Sequence, residues 1–176
     1  MTALAPDSVT PADLSIVDAS ASDYTRIGDI TVDAYLAAGH FDDPNHEYLQ
    51  FVRQVGARHE HSRILVAKRG SQIIASMSLM EYGSAYADVA RPGELEIRML
   101  SVDPAIQRTG AGRAMVKAAV AHARSLPGVH TVSLTTGGHW VAARALYEHM
   151  GFTHQSERDW FVPDTEIRLV VYTYAL

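Results

Sequence analysis

Two glycines, Gly110 and Gly112, lie in a turn between an apolar strand and an alanine-rich helix. The first N–H groups of a helix have no partner inside it, and the helix dipole adds roughly half a positive charge there. Because glycine has no Cβ, an anion can approach these N–H groups closely. The spacing therefore predicts an anion site, although a tight turn without any ligand would also explain the two glycines.

Two common phosphate sites do not fit this turn. A nucleotide-binding P-loop needs Gly-Lys-Ser/Thr, but here Gly112 is followed by Arg113 and Ala114. A dinucleotide-binding turn needs a third glycine three residues after the second, and this chain has Met115 there. The spacing excludes both motifs and leaves the identity of the anion open.

Other reactive groups are missing from the sequence or poorly spaced. The chain has no cysteine, which excludes disulfides, thiolate metal sites and cysteine nucleophiles. Its nine histidines include His59 and His61 but show no His-Glu-x-x-His spacing, so we expect no metal. The Gly-x-Ser-x-Gly elbow of serine hydrolases is also absent.

The residues around the two glycines resemble the acetyl-CoA motif of the GNAT N-acetyltransferases. Gln107-Arg108-x-Gly110-x-Gly112 is similar to that family's Gln/Arg-x-x-Gly-x-Gly/Ala. Further on, ALYEHMGF (145–152) resembles the second family signature, Leu-Tyr-x-x-x-Gly-Phe. The order of the two motifs also matches, over about residues 95–155. The resemblance implies an acetyltransferase that uses acetyl-CoA and acts on an amine.

The resemblance also implies where coenzyme A binds. The backbone N–H groups of residues 108–113 are expected to bind its pyrophosphate. Its pantetheine arm is expected to pair with the strand backbone near Leu100 and Val102, where a strand N–H can polarise the thioester carbonyl. The residues expected to contact the coenzyme are Leu100, Ser101, Val102, Gln107, Arg108, Thr109, Gly110, Ala111, Gly112 and Arg113.

Two residues are expected to be catalytic. Tyr147 matches the family tyrosine that protonates or hydrogen-bonds the departing thiolate, although it could simply pack on the sheet. Glu96 matches the general base of the histone-acetylating members, although it could instead pair with Arg98. A base is useful because removing a proton from an alkylammonium at pH 7 costs roughly 4–5 kcal/mol. The sequence departs from the family at Trp140, where many members have asparagine, so that coenzyme contact is not expected here.

Three segments are expected to contact the acceptor, which the resemblance gives as a primary amine of a small molecule, peptide or protein. They are Phe41-Asp42-Asp43, Glu81-Tyr82 with Tyr86, and Arg158-Asp159-Trp160-Phe161. Within them, Phe41, Tyr82 and Trp160 are the expected substrate contacts, while the acidic residues could merely be solvated. Two alternatives stay open: a coenzyme-binding regulatory module without catalysis, or the same fold with another acyl donor or an oxygen acceptor.

The pattern of apolar residues predicts the elements that position these groups. Strands are predicted at 14–19, 63–69, 72–81, 95–103, 129–136, 152–157 and 166–176. Helices are predicted to begin near Ser22 or Asp23, to run from Asn45 through Val55 and from Gly110 to Leu126, and to end at Met150. We therefore expect a single-domain α/β GNAT-like fold. Its mixed, twisted sheet has about seven strands flanked by helices, and the fourth and fifth strands are parallel and splayed to admit coenzyme A.

Length and charge agree with one domain. The chain has 176 residues and a net charge of −5, so we expect neither a nucleic-acid nor a membrane partner. Residues 1–13 are expected to form a flexible leader before a domain over 14–176, and a cytoplasmic location is the simplest expectation. The apolar C-terminal strand could pair two copies into a homodimer or serve as sheet core.

Overall fold

A computed structural model describes residues 14–106 and 109–176. The leader expected at 1–13 and two expected coenzyme contacts, Gln107 and Arg108, lie outside the described residues. The helices are α1 (Tyr24–Ala37), α2 (Glu47–Arg53), α3 (Val55–His59), α4 (Ala111–Ser125) and α5 (Val141–His149). The strands are β1 (Leu14–Asp18), β2 (Arg63–Arg69), β3 (Gln72–Glu81), β4 (Glu94–Val102), β5 (Thr131–Gly137), β6 (Thr153–His154), β7 (Trp160–Phe161) and β8 (Arg168–Ala175).

The strands form one mixed sheet, which confirms the predicted α/β fold. Its order is β1-β2-β3-β4-β5-β8-β6, and β7 also pairs with β8. The β4–β5 pair is parallel, with α4 as the crossover between its strands, and the other pairs are antiparallel. The sheet has one strand more than the pattern predicts, because the two-residue β7 is too short to show an alternation of its own.

The helices cover both faces of the sheet. Buried residues of α4, among them Met115 and Ala119, pack on Leu95 and Ile97 of β4 in the largest apolar cluster. On the other face, α1 and α3 pack on β2 and β3. A third cluster joins α1 and α2 to Met99 of β4. The strand β4 is therefore buried between two helical layers. In the described part of the chain, no helix is both long and apolar enough to cross a membrane.

The structure corrects two predicted elements. The helix expected from Asn45 through Val55 is broken at Gln54, whose ψ of 60° is not helical. The break lets α2 pack on the cluster around Met99 while Val55 packs on the cluster over β2. The strand expected at 152–157 has only two residues, β6, followed by a 3₁₀ turn. Beyond it, the carboxylate of Asp159 accepts the N–H of Val171 at 3.0 Å, so a side chain takes the place of a strand neighbour.

Candidate functional site

The parallel strands β4 and β5 separate after four residue pairs. Residues 94–97 pair with residues 131–134, and the pairing ends there. Beyond this point β4 stays paired with β3, and β5 stays paired with β8 as far as Gly137. The strand edges that face each other across the gap therefore have backbone groups available to a ligand, as in strand addition. This is the splay that the sequence analysis expects.

A bulge in β4 marks the point of separation. Opposite Ser76 and Ser78 of β3, β4 has one extra residue, and Met99 has a φ of 54°, which is rare for a residue with a side chain. Before the bulge, Ile97 faces the α4 side of the sheet; after it, Leu100 does so, while Met99 packs on the opposite side. The bulge thus turns Leu100 and its neighbours toward the gap.

The glycine turn places free amides beside this gap. Gly110 caps α4 with a φ of 82°, a conformation that favours glycine. The first N–H of α4 that bonds within the helix is that of Ala114, which donates to the carbonyl oxygen of Gly110 at 3.0 Å. The N–H groups of Ala111, Gly112 and Arg113 precede it and have no acceptor in the helix, since Gly110 has no side chain to cap them. These amides are the donors that the predicted anion site requires.

A cavity of about 710 Å³ connects the amides, the gap and the N-terminal half of α5. The expected site residues that line it are Leu100, Ser101, Val102, Gly110, Ala111, Gly112, Arg113 and Tyr147. Thr109 does not line it, and its hydroxyl donates to the carbonyl of Ile106 at 2.9 Å. The cavity therefore collects most of the described residues that the sequence assigns to the coenzyme.

Tyr147 lies at the α5 wall of this cavity and is only 7% exposed. Its ring packs against Phe152 and Tyr172, with centroid distances of 5.8 and 6.2 Å. Burial raises the pKa of Tyr147 to about 12. The hydroxyl is therefore protonated, and able to donate a hydrogen bond, at any pH at which the protein would work.

Glu96 lies on the other side of β4 and does not line the cavity. It is fully buried, and its Oε2 accepts the backbone N–H groups of Asp88 and Val89 at 2.9 Å and of Ala90 at 3.0 Å. Burial raises the pKa of Glu96, and these N–H donors act against that rise. The alternative that Glu96 pairs with Arg98 is not seen, since Arg98 pairs with Asp88 at 2.8 Å. The catalytic role of Glu96 stays a prediction.

The three expected substrate contacts lie at separate places. Phe41 stacks with Tyr35 and Tyr48 next to α1 and α2. Tyr82 is 59% exposed. Trp160 lines a second cavity of about 450 Å³ together with Arg158 and part of the β3–β4 loop. The structure does not bring these three side chains into one pocket.

His40 is not among the site residues expected from the sequence, and Trp140 is noted there only as a departure from the family pattern. Their rings stack nearly parallel, with centroids 3.4 Å apart and an angle of 14°, and both residues line the main cavity. His40 follows α1 and Trp140 caps α5, so the pair joins elements from opposite faces of the sheet. An aromatic residue at a position that usually has asparagine was the signal available in the sequence.

No cluster of three or more metal-ligating side chains is found among residues 14–106 and 109–176. The charged side chain that lines the main cavity is Arg113, at the amide end of the cavity. The described donors of the site are backbone N–H groups, hydroxyls, the ring nitrogens of His40, His139 and Trp140, and the guanidinium of Arg113. Such a set suits a phosphate-bearing ligand.

Known proteins similar to this chain are acetyltransferases. The sequence model of the acetyltransferase (GNAT) family matches residues 24–152. The chain is 36% identical over 90 residues to a mycothiol acetyltransferase from Cellulomonas flavigena. The matched segment covers 50% of this chain and 26% of the length of that relative. The fold resembles the ribosomal-protein-S18-alanine N-acetyltransferase of Escherichia coli, with a TM-score of 0.68, 18% identity and coverage of 92% and 93% of the two chains. It also resembles a GNAT acetyltransferase of Elizabethkingia anophelis with acetyl-CoA bound, with a TM-score of 0.64, 17% identity and coverage of 93% and 99%.

Proposed function

Because the chain belongs to the GNAT acetyltransferase family, we propose that it transfers the acetyl group of acetyl-CoA directly to a primary amine. One observation carries the proposal: a single cavity joins the free amides of α4, the gap between β4 and β5, and the side chain of Tyr147. The amides suit the pyrophosphate, the strand edge suits the amide-bearing pantetheine arm, and Tyr147 lies within the same cavity.

The chemical step needs no covalent bond to the protein. The amine nitrogen attacks the thioester carbonyl carbon, a C–N bond forms, and the C–S bond breaks as the thiolate leaves. The amine gives its proton to water. A strand N–H of β4 at the gap stabilises the oxyanion, which is worth about 2.7–4 kcal/mol for one donor in other acyl transfers.

Tyr147 stabilises the leaving thiolate as a hydrogen-bond donor. A thiol such as that of cysteine has a pKa near 8.5, whereas that of Tyr147 is about 12. Complete proton transfer from tyrosine to thiolate is therefore uphill by about 3.5 pKa units, or roughly 5 kcal/mol. A hydrogen bond to the charged sulfur avoids this cost, and Tyr147 stays protonated throughout.

Glu96 holds the β3–β4 loop in place. Its carboxylate already binds three consecutive backbone N–H groups, those of residues 88–90, and it lies outside the lining of the cavity. It therefore shapes the acceptor side, and the amine loses its proton to solvent. The general-base role is the competing hypothesis, and the Glu96 substitution considered in the Discussion separates the two.

The amide site is tested by adding one negative charge to it. An aspartate at position 110 places a carboxylate about 5 Å from a bound phosphate, which costs about 3 kcal/mol at an effective dielectric constant of about 20, or roughly a 100-fold loss of affinity. The matched control is Gly128→Asp, because Gly128 has a similar φ of 75° and open space around its Cβ but does not line the cavity. Calorimetry should show weak binding of acetyl-CoA to Gly110→Asp and normal binding to Gly128→Asp. Equal binding by the two variants would contradict the proposed site.

The reaction itself is tested with acetyl-CoA and a pooled library of amines and peptides, read by mass spectrometry. An acetylated amine supports the proposal. Retention of the coenzyme without any product would favour the regulatory module, and an acetylated hydroxyl would favour an oxygen acceptor. The cytoplasmic location, the homodimer and the domain boundary after residue 13 stay predictions.

A further inference from the structure

The His40–Trp140 pair and the charge of the main cavity together point to a class of acceptor. The inference rests on the proposed acetyl transfer. We infer that the acceptor is an amine attached directly to a planar aromatic ring, uncharged at neutral pH, and that His40 and Trp140 select it.

The indole of Trp140 forms a fixed, flat wall. A Cβ on Gly137 would lie 2.4 Å from the indole ring, so the ring covers that glycine directly. The imidazole of His40 stacks on the indole, and the ring of Tyr35 is a further neighbour of His40 at 5.8 Å. The rings of His40, Trp140 and Tyr35 all line the cavity, so this part of its wall offers aromatic surface to another planar ring.

The described lining of the cavity holds no negative charge that could pair with an ammonium group. Among its described lining residues there is no aspartate or glutamate, and Arg113 is the only arginine or lysine. Burial, helped by the neighbouring His139, lowers the pKa of His40 to about 4, so the imidazole is neutral at pH 7. An alkylammonium would have to leave water without gaining a counter-ion, which is unfavourable. An arylamine is already neutral, so moving it out of water does not carry this penalty for a charged group.

The carboxylates of β4 and of the β3–β4 loop are engaged elsewhere. Glu96 accepts three backbone N–H groups. Asp88 pairs with Arg98 at 2.8 Å, and Glu94 accepts two hydrogen bonds from Arg158, both of 2.9 Å. These partners hold the loop closed against the sheet. Each of the three carboxylates would have to leave its partners before it could meet an ammonium ion.

The chemistry of an arylamine agrees with this environment. Its nitrogen carries an available lone pair at neutral pH, so no protein base is needed before attack on the thioester. After the C–N bond forms and the C–S bond breaks, the nitrogen gives one proton to water and the thiolate leaves, as in the proposed reaction. The protein has only to hold the ring beside the thioester.

The test compares three amines at saturating acetyl-CoA: 4-methoxyaniline, 2-phenylethylamine and 1,5-diaminopentane. At pH 7 we expect kcat/KM for 4-methoxyaniline to be at least tenfold above that for the other two. Between pH 7 and 8, kcat/KM should be constant for 4-methoxyaniline and rise roughly tenfold for 2-phenylethylamine, because the neutral fraction of an alkylamine grows tenfold per pH unit. Equal or better use of either alkylamine would overturn the inference and leave the proposed function intact.

Variants identify the selecting residues. His40→Ala and Trp140→Ala should lower kcat/KM for 4-methoxyaniline at least tenfold and change the rates with the alkylamines less than threefold, and Trp140→Phe should restore most of the loss. His149→Ala, which removes an exposed histidine outside the cavity, is the control and should behave as wild type. An equal loss with all three amines would mean that the pair is merely structural and would overturn the inference. If acetyl-CoA binds but no amine of any class is acetylated, the proposed function fails, and the inference fails with it.

Discussion

Substitution of Glu96 by glutamine separates a loop anchor from a general base. In the structure one oxygen of Glu96 accepts three backbone N–H groups, at 2.9, 2.9 and 3.0 Å, and the other oxygen lies 3.2 Å from the N–H of Asp88. In Glu96→Gln the amide oxygen can take the place of the carboxylate oxygen that accepts the three N–H groups. The new amide nitrogen then faces the N–H of Asp88 as a second donor, and the remaining bonds lose the charge of their acceptor.

The magnitude follows from the number of bonds. A hydrogen bond to a charged group contributes about 1.5–3 kcal/mol and one to a neutral group about 0.5–1.5 kcal/mol, so the loss is about 1 kcal/mol per bond. Three bonds would give about 3 kcal/mol, and access of water to the half-buried loop lowers this to about 2 kcal/mol. For a domain of this size, such a change lowers Tm by about 4–8 °C.

The assay combines urea unfolding at pH 7 with steady-state kinetics over a range of pH. We expect Glu96→Gln to be less stable by about 2 kcal/mol and to have a higher KM for the acceptor, with the shape of the pH–rate profile unchanged. Glu60→Gln, an exposed glutamate at the end of α3, is the control and should match wild type. The loop-anchor role would be refuted by a variant of wild-type stability whose kcat falls at least 100-fold and whose pH–rate profile loses its acidic limb. That result would make Glu96 the base.

Two further predictions concern residues of the main cavity. Tyr147→Phe removes a hydrogen bond to a charged sulfur, worth about 2 kcal/mol, so kcat should fall roughly 30-fold. The affinity for acetyl-CoA, measured by calorimetry, should be unchanged. An unchanged kcat would show that Tyr147 takes no part in the reaction. Burial lowers the pKa of His40 from 6.5 to about 4, so the folded state favours the neutral imidazole. The stability gained in this way is present above pH 6.5 and is lost as the pH falls from 6.5 toward 4. His40→Asn should therefore lose less stability than wild type between pH 7 and pH 5 in urea unfolding, and an equal loss in both proteins would contradict this.

Local patterns predicted the parts of the molecule that local chemistry determines. The turn at Gly110 is visible in the sequence because its positive φ favours glycine. The six longer strands follow from their apolar patterns and from the turns between them. The sequence predicts one continuous second helix because the helical spacing of apolar residues is unbroken through Gln54. The break at Gln54 becomes visible only in the structure, where the two parts pack on separate clusters.

The rest of the site depends on contacts between distant segments. His40 and Trp140 lie 100 positions apart in the chain, and nothing near either residue indicates that they stack. The partners of Glu96 lie in a loop whose course is set by that carboxylate itself. A base and a loop anchor call for the same residue type at the same place, so the sequence could not distinguish them.

The bulge at Met99 has a consequence for how this protein can change. The strand contains one residue more than its partner needs, so odd-numbered residues of β4 face α4 before the bulge and even-numbered residues face α4 after it. The place where the gap begins therefore coincides with a change in residue count along the strand. A scan of substitutions along β4 would leave that count intact and would miss its role. We expect deletion of Met99 to bring β4 back into phase with β3, to remove one side chain from the cluster of α1 and α2, and to close the gap between β4 and β5.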